Sequence, residues 1–465
     1  MAMNFSVAGA PATFAVNVGV GPHFDVLEVG HSDYVALIEA DAAFWALVPR
    51  SQALDYLLGT AFPRAYLEKE AELKADLDNV RFRLAPAAVY FNPTERCNLN
   101  CSYCYLPASR RRHGEDMTPA RVREALGHLA AYFEQILPKD IRPQVVFHGS
   151  EPLLARDAVF QGIEAFGDRF RFGVQTNATL LDSEAEAFLV GKGVSLGLSL
   201  DGATALVADR SRRTWSGIGV FDQVVQVLER LAEYPGLNVI TTITRENLEN
   251  LPAIVDFLHG RRVRNALFNP VRGTQPGGRD LMPAGEALAA YFFGALERAA
   301  KLYDQTGHKL VIGNFANLLL GLVAPGARRL MCDISPCGGG RCFFAVAATG
   351  QVVPCSEFLG FPEFSGGNLF SDPLPKILDS DPFRRLKTRV VEDIDFCRRC
   401  AVRHYCGAPC PAEVYALTGN LQERPPYCHF YALQARYAFK VIADGRQDAF
   451  LWDGWQEGLK EVQVL

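Results

Sequence analysis

Residues 94–107 read TERCNLNCSYCYLP. Three cysteines, Cys97, Cys101 and Cys104, are separated by three and then two residues. A disulfide uses two thiols and a structural zinc uses four ligands. Three thiols on one short loop leave a place open on whatever metal centre they hold. The stretch follows AVYFNPT (88–94), a short apolar run ended by polar and turn residues, which reads as a buried strand.

The same rhythm continues downstream. QVVFHGS (144–150), FRFGVQTN (170–177), VSLGLSLDG (194–202), NVITTIT (238–244) and NALFNPV (265–271) are further short apolar runs. Near-continuous apolar strands are characteristic of parallel sheets covered on both faces. Helical patterns lie between them. Thr118 is placed to cap one helix with Pro119 at its first position, Asp182 to cap a second, and Asn250 to cap a third that ends at Gly260. Six strand–helix alternations predict an α/β fold, a partial (β/α)6 relative of the eight-strand barrel. In such barrels the chemistry sits at the C-terminal strand ends, which is where the three-cysteine loop falls.

The rest of the chain divides around this barrel. Residues 1–85 predict a separate α+β unit, with strands in HFDVLEV and DYVALIEADAAFWALV and helices in SQALDYLL and RAYLEKEAELKADL. The barrel is expected over 86–275. RGTQPGGRDLMP (272–283) reads as a linker into a helix over 284–305, within a helical segment 276–331. Residues 332–430 hold nine of the twelve cysteines amid Gly and Pro, with few clear elements. A helix over 429–444 opens the closing segment 431–465.

The formal net charge of −5 argues against general nucleic-acid binding, and no apolar run reaches the roughly eighteen residues that span a membrane. The N-terminal MAMNFSVAGAPATFAVNVGVG lacks a basic leading segment, so no signal peptide is expected. Cysteines in a cytoplasmic protein stay reduced, and their grouping then points to metal.

A 4Fe–4S cluster usually takes four thiolates. Three leave one iron open, and an open position is where a metal does chemistry. A zinc loop with a distant fourth ligand is the alternative on spacing alone. CxxxCxxC after the first strand of such a barrel resembles the radical S-adenosylmethionine superfamily. That resemblance implies an open iron that binds the methionine part of the cofactor, whose reductive cleavage yields a hydrogen-abstracting 5′-deoxyadenosyl radical. It places Tyr103 near the adenine. GSEP (Gly149, Ser150, Glu151, Pro152) is similar to the family's GGEP, which holds the cofactor's amino group, with Ser150 for the second glycine. Asn177 in QTNAT, Ser199 and Asp201 in SLDG, and Arg212 in DRSRRTWSG match positions expected to contact the cofactor. Asn269 is a further polar strand-end residue, His148 reads as structural, and Arg110, Arg111 and Arg112 read as a solvated loop or a patch that steers an acidic peptide.

Cys342 and Cys355 are separated by twelve residues; Cys397, Cys400, Cys406 and Cys410 by two, five and three; Cys428 closes the set. Alone this suggests zinc ribbons. Attached to a radical barrel it resembles the SPASM domain, which carries two auxiliary 4Fe–4S clusters, for three clusters in all. The resemblance implies Cys342, Cys355, Cys410 and an upstream cysteine at the first auxiliary site. It implies Cys397, Cys400, Cys406 and Cys428 at the second. Cys337 and Cys332 compete for the upstream place, with Cys337 fitting better. Cys332 would then be a buried free thiol, a hydrogen donor or an exchanging ligand.

Families with this domain mostly modify peptides or proteins. Sulfatase maturases usually carry a basic Asp directly after the cysteine that Cys355 matches, but here Ser356 and Glu357 follow. A serine is no base at neutral pH without activation, which leaves Glu357. Chain length and CNLNCSYCYLP followed by RRRHGEDM resemble maturases that install thioether bonds in the small subunit of quinohemoprotein amine dehydrogenase. The expectation is therefore a maturase that crosslinks cysteine sulfur to a carbon beside an Asp or Glu carboxylate. Residues 1–85 would dock the peptide, or simply cover the barrel, and a flavodoxin or ferredoxin would supply electrons. Carbon–carbon crosslinking, formylglycine formation and a non-catalytic, zinc-stabilised peptide-binding module are the rivals.

Overall fold

The computed structural model describes residues 13–15 and 23–457. Most of the N-terminal stretch read for a signal peptide, and the end of the closing segment, lie outside these residues.

Strands β1 (Thr13–Ala15), β2 (Asp25–Leu27), β3 (Tyr34–Glu39) and β4 (Phe44–Pro49) form an antiparallel sheet in that order. The stretch DYVALIEADAAFWALV thus folds back on itself, with Ala43 at φ +50° in the turn. Helices Ala53–Leu58 and Ala61–Phe82 follow. Alternation decides what each face of β3 meets. Val35 and Leu37 join Phe24 and Leu57 in a small core under the helices, while Ala36 and Ile38 belong to the main core of the molecule. Trp45 donates Nε1 to the Leu322 carbonyl and stacks edge-on to Phe439. The unit expected to be separate is therefore packed on the body of the protein.

The barrel strands are β5 (Ala88–Phe91), β6 (Gln144–Phe147), β7 (Arg171–Thr176), β8 (Ser195–Ser199), β9 (Leu237–Ile243) and β10 (Asn265–Pro270), each parallel to the next. Thr118 and Asp182 cap their helices by accepting from the N–H of Arg121 and Ala185. Asn250 does not; a 3-10 turn, Leu248–Asn250, runs straight into helix Leu251–Gly260.

The sheet does not stop at six strands. β11 (Val311–Ile312) extends it beyond β10. On the other side β12 (Phe343–Val346) pairs in parallel with β5, and β13 (Gln351–Val353) and β14 (Gly367–Asn368) continue it. The cysteine-rich region thus shares backbone hydrogen bonds with the first barrel strand, a contact between distant segments that sequence periodicity does not report. Helix Gly285–Thr306 ends at Gly307, φ +71°. The expected linker contains a short helix, Pro276–Asp280. No helix among the described residues is long and apolar enough to cross a membrane.

Candidate active site at the strand ends

The loop after β5 is clamped from within. Arg111 is buried and donates Nε to the Leu106 carbonyl (3.1 Å) and Nη1 to the Leu99 carbonyl (3.2 Å), tying the two ends of the cysteine loop together. Trp215 Nε1 donates to the Cys97 carbonyl (2.8 Å), and the Arg111 and Arg112 guanidinium groups each lie 5.3 Å from its ring. Of the triplet read as a solvated or steering loop, only Arg112 is exposed; Arg110 donates to the Leu359 carbonyl (2.8 Å). The glycines of the expected linker press on the same loop: a Cβ on Gly277 would stand 2.3 Å from the Ser102 carbonyl oxygen.

The other strand ends converge here. Gly149 follows β6 at φ +101°, and a Cβ there would stand 1.5 Å from Asn92 Oδ1, so only glycine fits. Ser150 replaces a glycine at no cost because its hydroxyl turns back to the Glu95 carbonyl (2.7 Å). Glu151 is fully buried and accepts from Leu153 N–H (3.1 Å), Thr176 Oγ1 (2.7 Å) and Asn177 N–H (2.8 Å). Burial raises its pKa while those donors oppose the rise. Pro152 begins a 3-10 turn, Pro152–Ala155. Asn177 donates to Asn98 Oδ1 (2.8 Å) and accepts from Thr179 Oγ1 (2.6 Å), while Asn98 donates to Thr179 Oγ1 (2.7 Å). This ring couples the end of β7 to the cysteine loop.

Tyr103, Asp201 and Arg212, each from a different segment, meet in one buried group. The Tyr103 hydroxyl donates to Asp201 Oδ2 (2.5 Å) and accepts from Arg212 Nη1 (2.6 Å), and Asp201 Oδ1 accepts from Thr242 N–H (2.8 Å). Burial raises the Asp201 pKa against the pull of Arg212. Ser199 ends β8 and makes no side-chain hydrogen bond among the described residues. Asn269 Oδ1 accepts from Asn314 (2.8 Å). His148 lies 5.0 Å from the Tyr90 ring and stacks on Tyr105 at 6.3 Å; burial lowers its pKa to about 4, so it is neutral at physiological pH, and its buried Nδ1 has no hydrogen-bond partner among the described residues.

Burial pushes the Cys97 thiol up to about 12 and Cys104 to about 11. A bare thiolate is unfavourable at these depths, and a bound metal is what would hold it deprotonated. Several buried polar atoms around the mouth have no hydrogen-bond partner among the described residues: Asn92 Oδ1, Arg212 Nε and Glu357 Oε2. Orphaned groups of this kind mark a place where something polar binds.

The remaining cysteines form two groups. Cys397, Cys400, Cys406 and Cys428 line a single cavity. Cys337, Cys355 and Cys410 lie within electrostatic reach of one another or of Cys332, and Cys342 is within reach of Cys337. Gly339 sits between Cys337 and Cys355, where a Cβ would stand 3.6 Å from Cys337 Sγ and 3.3 Å from Cys355 Cβ. Cys332 is not removed from this group, so both upstream candidates stay beside it. Glu357 lies near Arg272, Glu413, Cys104 and Cys355; burial lifts its pKa to about 7, with Arg272 pulling it down. Among the described residues no three His, Cys, Asp or Glu side chains converge tightly enough to grip a single ion.

Residues 91–258 match the family model for the radical SAM superfamily, and 337–401 match SPASM, an iron–sulfur cluster-binding domain. An uncharacterized protein of Archaeoglobus fulgidus is 42% identical over 405 residues, 87% of this chain and 91% of that one. The chain belongs to the radical SAM superfamily. It is a radical SAM enzyme with a SPASM domain. The AdoMet-dependent heme synthase of Methanosarcina barkeri is 26% identical over 365 residues, 74% of this chain and 96% of that one. The mycofactocin maturase MftC of Mycolicibacterium smegmatis is 27% identical over 359 residues, 74% of this chain and 83% of that one. The solved structure of native anSMEcpe with bound AdoMet superposes with a TM-score of 0.67 at 18% identity, covering 78% of this chain and 100% of that one, and shares the fold.

S-adenosylmethionine and a 4Fe–4S cluster are the cofactors of this superfamily, and the SPASM domain binds auxiliary iron–sulfur clusters. The three-thiol loop and the unpaired atoms beside it fit the first pair, and the four-thiol cavity fits an auxiliary cluster. Trp215, Asn98 and Thr179 are the site residues that sequence reasoning missed, and Arg111 was read for a different role. Their only signal was proximity to matched motifs.

Proposed function

We propose that this radical SAM enzyme is a cytoplasmic peptide maturase that installs an intrapeptide thioether, joining cysteine sulfur to a carbon beside an Asp or Glu carboxylate. The observation that carries the reading is Glu357: a buried carboxyl with an unpaired oxygen, lying near both Cys104 of the first loop and Cys355 of the SPASM region. Such a crosslink removes two hydrogens from the peptide, one as an atom and one as a proton, and leaves one electron over. When bound, S-adenosylmethionine and its cluster supply the hydrogen-abstracting radical, and the auxiliary clusters offer an acceptor for that electron.

The chain's own residues do the rest. Cys97, Cys101 and Cys104 would hold the first cluster. Tyr103, Gly149, Ser150, Glu151, Pro152, Asn177, Ser199, Asp201 and Arg212 would seat the cofactor. Cys337, Cys342, Cys355 and Cys410 would hold the first auxiliary cluster, and Cys397, Cys400, Cys406 and Cys428 the second. Glu357 takes the thiol proton, with Arg272 steadying the carboxylate that receives it. The preorganised strand ends supply selectivity, because a carbon radical has little of its own.

The PqqA peptide cyclase of Bradyrhizobium diazoefficiens, 25% identical over 388 residues, acts on a peptide by name, which supports a peptide substrate. The N-terminal sheet supports the same reading, because among the described residues β4 pairs only with β3 and leaves its outer edge for an extended peptide. Leu54 and Leu58, both 61% exposed on the neighbouring helix, would meet that peptide's side chains. Flavodoxin or ferredoxin is the expected electron donor.

The test is anaerobic co-expression with a cysteine-rich peptide encoded nearby, followed by fragment mass analysis. A thioether appears as the loss of two hydrogens with no fragmentation between the linked residues. A carbon–carbon bond leaves the cysteine thiol free to alkylate, and formylglycine from serine loses two hydrogens without linking residues. Iron and sulfide analysis of the purified protein excludes the zinc-stabilised module if both are present.

A further inference from the structure

A cavity of about 80 Å³ lies between the end of β10 and the cysteine-rich region. Asn269 and Arg272 reach it from the end of β10, Gln434 and Tyr431 from helix Cys428–Ala443, and Cys332 from the loop between them. Cys332 is exposed, opening onto this space, and with Cys337 as the proposed fourth ligand of the first auxiliary set it is the cysteine left over from both sets.

The polar groups around Cys332 are set for a ligand. Gln434 is only 7% exposed, yet its side-chain amide makes no hydrogen bond among the described residues. Arg272 uses Nη1 on Glu413 (3.1 Å) and Tyr431 (3.2 Å) and shares its charge with Glu413 and Glu357, while Nη2 and Nε make no hydrogen bond among the described residues. Asn269 spends its oxygen on Asn314 and keeps its NH2 group. The acidic wall residue Asp333 is already neutralised by Arg328 at 2.8 Å. The cavity therefore offers N–H donors and a guanidinium edge, with few free acceptors. At about 30 Å³ per water in the liquid, its volume corresponds to about three waters, the size of a carboxylate group.

We propose that this cavity is a carboxylate-binding site in which Arg272, Gln434 and Asn269 hold the ligand's oxygens and the Cys332 thiol lies beside its adjacent carbon. The assignment goes beyond the thioether reading and does not depend on which bond the enzyme makes.

Alkylation of the cluster-loaded holoenzyme tests it without peptide or S-adenosylmethionine, so failure of the crosslinking reading leaves this test intact. Iodoacetate and iodoacetamide both alkylate the thiolate, forming a C–S bond as iodide leaves, but only iodoacetate carries a carboxylate. The ratio of their rates is independent of the thiol's ionisation, and N-acetylcysteine supplies the reference ratio. Mass spectrometry is expected to place a single label on Cys332. The iodoacetate-to-iodoacetamide ratio should exceed the reference about tenfold, the worth of one charge-assisted hydrogen bond at 1.4 kcal/mol per decade. Gln434→Leu should lower it, and Arg272→Lys, which keeps the charge but loses the planar fork, should lower it further. Protection by sodium acetate would assign a free small carboxylate. Protection by N-acetylaspartate methylamide but not acetate would assign an acidic side chain. A reference-like ratio, a ratio unchanged in both variants, protection by neither compound, or a Cys332 that never labels overturns the proposal.

Discussion

Replacing Arg111 with alanine should empty the first cluster site while leaving the auxiliary sites loaded. In the structure its guanidinium supplies hydrogen bonds to the carbonyls of Leu99 and Leu106, which flank Cys101 and Cys104. Hydrogen bonds that involve a charged group contribute about 1.5–3 kcal/mol each. Losing both, with partial rescue by water, costs the loop about 2–4 kcal/mol of ordering free energy. At 1.4 kcal/mol per decade, cluster affinity falls by about 30- to 1,000-fold. On the proposed complement of three 4Fe–4S clusters, anaerobically reconstituted Arg111→Ala should bind about eight irons instead of about twelve. The spectral response of the reduced protein to added S-adenosylmethionine should disappear. Arg111→Lys should fall between, since one ammonium cannot match the fork that reaches two carbonyls. Full iron content and an intact cofactor response in Arg111→Ala would show that the loop is ordered without this clamp.

Cys97→Ala is expected to abolish cleavage of S-adenosylmethionine, whereas Cys397→Ala should retain some cleavage and lose peptide product; product from both variants would refute the division of labour. Glu357→Gln should keep cleavage to 5′-deoxyadenosine but reduce crosslinked peptide about 100-fold, the scale of a lost general base, as read by mass spectrometry. Gly149→Ala forces a Cβ onto Asn92 Oδ1, so cofactor binding measured by equilibrium dialysis should be lost. His148 has its pKa lowered by burial to about 4, below the unfolded value, so the unfolded chain binds the extra proton first and stability falls as pH drops from about 6.5 to 4. His148→Phe should flatten that part of a chemical-denaturation pH profile; an unchanged slope would assign it to other groups.

The barrel was readable because its signals are local. Each parallel strand is a short apolar run buried on both faces, so β5 to β10 could be placed from composition alone. The cysteine spacing was equally direct, since chain connectivity puts Cys97, Cys101 and Cys104 on one loop whatever the rest of the fold does. Asn250 shows the limit of local reading: a good capping residue does no capping because a 3-10 turn already leads into its helix.

Contacts between distant segments were invisible. Nothing in FFAV announces that β12 would pair with β5 more than 250 residues earlier, because a ladder bond leaves no periodic trace at such separation. RRRHG reads as a solvated run, yet Arg111 is drawn inward by two carbonyls that the curled loop leaves unpaired. The Tyr103–Asp201–Arg212 group likewise exists only once three segments are brought together. Residue order along the chain thus determined the kind of chemistry, through thiol spacing and strand-end motifs. Only the tertiary structure decided which buried polar groups find partners and which are left open, because that depends on where long-range packing puts each donor and acceptor.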